Sequence, residues 1–230
     1  MAETLRVLER AVAPGVSTAE LDRLAAATFA RHGAQSGPIL TYGYPASVCI
    51  SVDEEVVHGV PGPRIIRAGE LITLDVAAEL DGYHADAART VAVGPVDGRR
   101  RRLVSATRAA LAAGIRAAQP GRTLRDVGAA VEREARRHGF RVLRELTGHG
   151  IGHAMHEEPT VFNWAAPEAK TRLTPGLVFT IEPMLTAGRP RIVLERDGWT
   201  ITTADRAPSA HEEHTIMVSD AGRPVILTAA

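Results

Sequence analysis

The chain has 230 residues, 45% of them apolar, enough to close a core in one large domain or two tightly joined small ones. Basic and acidic residues balance at 27 each, so neither a nucleic acid nor an anionic membrane is expected as the main partner. The single cysteine, Cys49, excludes a disulfide framework. No apolar run approaches the roughly 18 residues of a membrane span and no leader opens the chain, so the expected compartment is the cytosol.

Taken in chain order, a short helix is predicted over roughly 3–11. A second follows in PGVSTAELDRLAAATFARHG, residues 14–33, where Ser17 and Glu20 form a capping box and Gly33 a stop. Strands are predicted near 48–53, 71–78 and 84–92, the last two joined by the hairpin signal Asp81-Gly82. A helix over about 98–118 opens with Arg99 to Arg102, read as a solvated helix end. Another helix follows in PGRTLRDVGAAVEREARRHG, residues 120–139, with Thr123 and Asp126 as a weaker capping pair. Strands near 177–182 and 212–218 enclose a stretch from Leu185 to Pro208 that reads as hairpins and loops.

The two Pro-Gly helices lie 106 residues apart, from Pro14 to Pro120. Two glycine-led strands that end in an acid, GELITLD from Gly69 and GLVFTIE from Gly176, lie 107 apart. A duplicated α+β unit with pseudo-twofold symmetry explains both offsets. It predicts one catalytic domain over 1–230, built from related halves at about 14–93 and 120–218 that share a sheet core.

Carboxylates interrupt strands that should stay apolar. A two-residue turn at Asp81-Gly82 sets Asp75 opposite Ala88, so Asp75 and Asp86 project from one face. Desolvated carboxylates need protons or cations to coexist. Glu182 and Glu213 repeat the pattern at the end of one strand and the start of another. The stretch GHGIGHAMHEEP, residues 148–159, adds His149, His153 and His156. Four acids with one imidazole form a hard donor set for divalent Mn, Fe, Co or Zn, and two such cations would balance four negative charges. From spacing alone the reading stops at a dinuclear metallohydrolase: there is no His-Glu-x-x-His, no Gly-x-Ser-x-Gly and no phosphate loop.

Six blocks then coincide in order with one family: PGVSTAELD, YGYPASVCISVDEEVVHGVP, the Asp75/Asp86 hairpin, GHGIGHAMHEEP, FTIEPM and DGWTITTADRAPSAHEEHTI. The chain resembles the type I methionine aminopeptidases over nearly its whole length. The resemblance implies the pita-bread fold of creatinases and aminopeptidases, a pseudo-twofold curved antiparallel sheet flanked by helices. It implies metal-dependent removal of the initiator methionine from nascent or newly made proteins when the second residue is small. By similarity Asp75 serves one metal, His149 and Glu182 the other, and Asp86 and Glu213 bridge them.

The resemblance further implies that His156 hydrogen-bonds the substrate carbonyl, that His58 contacts the backbone of the second residue, and that Glu182 exchanges the proton of the attacking water. Tyr42, Tyr44, Cys49, Met155 and Trp199 fall in blocks that could wall the methionine slot. His153 and Met155 depart from the residues most frequent in the family. His211 and His214 flank Glu213, but their family counterparts are not ligands. Two divalent ions (Fe, Mn, Co or Zn), a monomer, and transient proximity to the ribosome complete what the resemblance implies. The neighbouring alternatives are a proline-directed peptidase of the same fold and a catalytically dead relative that binds protein or RNA.

Overall fold

In the computed structural model, which describes residues 1–229, five helices flank short antiparallel ladders. The helices are α1 (Ala2–Ala11), α2 (Thr18–His32), α3 (Gly37–Tyr42), α4 (Gly98–Ala117) and α5 (Leu124–Arg137). The Ser17 amide and hydroxyl donate to Glu20 Oε2, and the Glu20 amide donates back to Ser17 Oγ, which closes the first capping box. At α5 the Thr123 amide and hydroxyl both donate to Asp126 Oδ2. Pro120 and Gly121 form a turn ahead of α5, so that helix starts four residues later than its Pro-Gly signal. Helix α3 escaped the sequence reading because six residues are too few for a helical period.

The strand Leu71–Leu80 pairs with Tyr83–Ala92 across Asp81-Gly82, with Asp75 opposite Ala88 as the turn dictates. Both turn residues have positive φ, 52° and 82°, as a two-residue hairpin of this hand requires. Cys49–Val52 and Gln35–Ser36 complete this four-stranded sheet, which α1 and α2 cover with Leu5, Leu8, Leu21 and Phe29. A five-stranded sheet runs Val225–Ile226, His214–Met217, Val178–Ile181, Thr147–Gly150, Glu157–Phe162. It packs against α4 and α5 through Phe179, Ile181, Val131 and Leu103.

The same backbone bonds recur, their donors 106 or 107 residues apart along the chain. Thr18 donates to Arg64 and Leu124 to Thr171, while Gly69 donates to Val93 and Gly176 to Val218. The two sheets meet along one edge, where a backbone bond joins them. They are sewn together at a seam. Glu213 N donates to Ala88 O at 2.9 Å, Asp86 N donates to Thr215 Oγ1 at 3.0 Å, and that hydroxyl donates to Asp86 O at 2.7 Å. A side-chain hydroxyl thus replaces a rung of the ladder, and it does so where two of the predicted acids face each other.

Candidate metal centre and substrate cavity

A cavity of about 420 Å³ opens at this seam. Its wall includes Asp75, Asp86, His149, Glu182 and Glu213, together with His58, His156, Tyr42, Tyr44, Cys49, Met155 and Trp199. Every predicted site residue therefore meets in one place. A larger surface groove of about 620 Å³ beside Arg136, Arg141 and Arg144 holds one acid, Glu132, and no metal-ligating set.

Each ligand candidate is held by its own element. Asp86 is 5% exposed, and its backbone is locked on both sides by Thr215. Glu182 and Glu213 lie one residue outside their ladders, after Ile181 and before His214, and both line the cavity. Thr180 Oγ1 donates to Glu182 Oε1 at 2.7 Å, and the Asn163 amide holds the Glu182 carbonyl at 3.0 Å. His149 Nδ1 lies 2.9 Å from the carbonyl of Gly150; a carbonyl only accepts, so Nδ1 carries the proton. The lone pair of Nε2 then points toward Glu182 Oε1 at 3.5 Å and Asp86 Oδ2 at 3.9 Å. Ligand atoms of Asp86, His149 and Glu213 lie within 4.8 Å of one another.

The glycines of the histidine-rich stretch are there for clearance. A Cβ on Gly148 would stand 2.7 Å from Thr180 O, and one on Gly150 would stand 2.3 Å from Glu158 O. His149 thereby reaches the strand that presents Glu182. His153 points away, stacked 4.3 Å from the exposed ring of Tyr83, so its departure from the family pattern lies on the surface. Met155 is buried in the wall.

Electrostatics test whether a cation fits. Burial raises the Asp75, Glu182 and Glu213 carboxyls well above their ordinary values, and the neighbouring carboxylates raise them further. Asp86 is pushed up to about 6, mainly by burial. The nearby cations are engaged elsewhere, Arg89 with Glu9 and Arg108 with Glu212. Asp86 Oδ1 and Glu213 Oε1 are buried with no hydrogen-bond partner. Burial and the facing His156 lower His149 to about 4, which keeps it a neutral donor. Unpaired buried oxygens beside a neutral nitrogen are what a divalent ion completes.

The linkage follows. A carboxyl raised in the folded state stabilises the metal-free fold at low pH, and that contribution is lost as pH climbs through about 6. Divalent cations compete with those protons. The rise in thermal midpoint on adding Mn(II) to metal-stripped protein should therefore shrink between about pH 7.5 and about pH 5.5. An equal rise at both values would mean that these carboxylates do not take up the ion.

Beside the acids the wall turns apolar. Tyr44, Ala46 and Cys49 form a small buried cluster with Val60 and Trp199, whose ring meets Tyr44 edge-on at 5.2 Å. Tyr44 Oη is satisfied by the Gly59 carbonyl at 2.8 Å, so this wall presents carbon and sulfur to the cavity. Tyr42 stands half exposed at the mouth, and its phenol lies 2.5 Å from His156 Nδ1. The sequence alone gives Tyr42 only a wall role and no sign of Asn163 or of the cavity position of His211, since pairing across the fold leaves no local signal for them; Thr180, two residues before Glu182 and on the same face of its strand, is the one supporting residue with a local signal.

The profile of metallopeptidase family M24 matches residues 1–220. The methionine aminopeptidase of Escherichia coli K12 is 41% identical over 227 residues, spanning 98% of this chain and 86% of that protein. The crystal structure of methionine aminopeptidase from Rickettsia prowazekii superposes with a TM-score of 0.95 at 37% identity, covering 99% of this chain and 92% of that one. The prolidase of Pyrococcus furiosus, at 20% identity and a TM-score of 0.78, covers all of this chain and 60% of its own and shares the fold alone.

Proposed function

The chain belongs to metallopeptidase family M24 and removes N-terminal methionine from newly made proteins, and we propose that the cavity at the seam carries out that reaction with two divalent ions. One observation carries the proposal: four raised carboxyls, a neutral imidazole and an apolar sulfur-lined wall share one cavity with His58 and His156. We take residues 1–230 as one catalytic domain of two related halves, 14–93 and 120–218, which the recurring backbone bonds support.

Asp75, Asp86, His149, Glu182 and Glu213 would hold the ions. When bound, such ions supply a Lewis acid for the scissile carbonyl and lower the pKa of a water nucleophile. The protein's own groups do the rest. The methionine side chain lies against Cys49, Tyr44, Trp199 and Met155, where thiol and thioether suit a thioether. Glu182, its Oε1 fixed by Thr180, accepts a proton from the attacking water and returns it to the leaving amine. His156 donates to the carbonyl oxygen as negative charge develops there. His58, held with positive φ (57°) at the rim, contacts the backbone of the second residue.

Tyr42 prepares His156 for this role. Burial raises the phenol's pKa, so it keeps its proton and donates to Nδ1, which leaves the imidazole proton on Nε2. Burial, with His58 and His84 nearby, lowers His156 and keeps it neutral. Tyr42→Phe should lower kcat about three- to tenfold, the worth of one hydrogen bond, with KM little changed. An unaltered kcat would remove Tyr42 from the mechanism.

The cytosol is the proposed site of action and the monomer the proposed state, with only transient proximity to the ribosome. No helix among the described residues is long and apolar enough to cross a membrane. Peptides of the form Met-X-Ser test the substrate rule: Ala, Gly or Ser at X should be cleaved and Leu or Lys spared. Faster release from Met-Pro-Ser than from all of these would instead place the chain with the proline-directed peptidases.

A further inference from the structure

Glu182 lies between two imidazoles. On one side is His149; on the other, His211 Nε2 lies 4.0 Å from Glu182 Oε2 and 3.7 Å from Glu213 Oε2. His211 is 1% exposed and lines the cavity, and neither of its ring nitrogens has a hydrogen-bond partner. A buried imidazole ordinarily satisfies both nitrogens, so this ring lacks a partner. His214 has no such need, because its Nδ1 meets Thr228 Oγ1 at 2.9 Å.

The distances indicate the missing partner. At 3.7 and 4.0 Å the ring is too far from either carboxylate for a hydrogen bond. Two donors each about 2.1 Å from one ion stand about 3 Å apart at right angles and about 4.2 Å apart when opposed. The spacings around His149, 3.5 and 3.9 Å, lie in that interval, and so do those around His211. We propose that His211 Nε2 is a further metal donor, which gives the centre two imidazoles, one on each side of Glu182. The inference rests on the two-ion reading of the cavity and adds a ligand to it.

Two consequences follow from the chemistry. A neutral imidazole adds a donor without charge, so four carboxylates still balance two divalent ions, while the donor set becomes softer toward Co(II) and Zn(II). Unlike His149, which Gly150 anchors, His211 has no acceptor at Nδ1 among the described residues, so it is the less firmly oriented ligand.

The test is a Co(II) titration of metal-stripped wild type, His211→Gln and His149→Gln, with X-ray absorption at the cobalt edge to count coordinated imidazoles. Wild type carrying two cobalt ions should show an average of one imidazole per ion, and each variant half of that. His211→Gln should weaken one of the two cobalt sites about tenfold or more. Half an imidazole per ion in loaded wild type would overturn the proposal whether or not either variant folds. Unchanged cobalt affinity in a folded His211→Gln would also overturn it. Wild type that binds no cobalt at all would overturn the two-ion reading itself, a separate outcome.

Discussion

Asp86→Asn is expected to lose metal and activity together, with kcat/KM falling about a thousandfold or more, since several kcal/mol of transition-state stabilisation depends on the ions. Asp86 is the acid that cannot be replaced by a neighbour. It sits at the seam between the two sheets, Thr215 fixes its backbone from both sides, and one of its oxygens has no protein partner. An amide of the same shape keeps those backbone bonds but supplies only one neutral oxygen. Its loss also removes a carboxylate whose charge raises Asp75, Glu182 and Glu213. The metal-free variant should therefore be at least as stable as metal-free wild type near neutral pH. Metal analysis with turnover at matched protein concentration checks both halves of this result; two ions retained with near-normal turnover would contradict it.

His156→Ala should separate chemistry from metal binding. Removing one oxyanion donor costs about a hundredfold to a thousandfold in kcat. The ions should stay, because His149 does not depend on His156 for its position: Gly150 holds its ring and Thr180 its amide. The two rings are packed 3.9 Å apart, so metal content must be measured alongside the rate. A kcat unchanged at full occupancy would leave His156 without the role given to it. Compared with Tyr42→Phe, which retains the imidazole and loses only its orientation, the alanine variant should be at least tenfold slower.

Much of this was legible in the sequence because the informative signals are local. Asp81-Gly82 fixes a two-residue turn, the turn fixes the register, and the register sets Asp75 opposite Ala88 with Asp86 on the same face. The capping residues Ser17 and Thr123 and the stops at Gly33 and Gly139 bounded two helices to within a few residues. At the 106- and 107-residue offsets visible in the sequence, the same backbone hydrogen bonds recur. What escaped depends on contacts across the fold. Asn163 meets Glu182 and Thr180 meets the His149 amide from separate segments, and the seam between the sheets is closed by a threonine hydroxyl that looks like any other strand residue. The resemblance gives His211 no ligand role, because its family counterparts are not ligands; only its burial and its empty hydrogen-bonding positions set it apart. Tyr42 was read as a wall residue, and its distance to His156, 114 positions away, gave it a second role.

The central question is whether this cavity uses divalent ions to free a terminal methionine. The most direct measurement is methionine release from Met-Ala-Ser by metal-stripped protein, titrated anaerobically with Mn(II), Fe(II), Co(II) or Zn(II), beside Ala-Ala-Ser. No release is expected without metal, release should rise with added ion, and Ala-Ala-Ser should stay intact, since alanine does not fill the wall made by Cys49, Tyr44, Met155 and Trp199. Silence on Met-Ala-Ser with two ions demonstrably bound would contradict the proposed reaction.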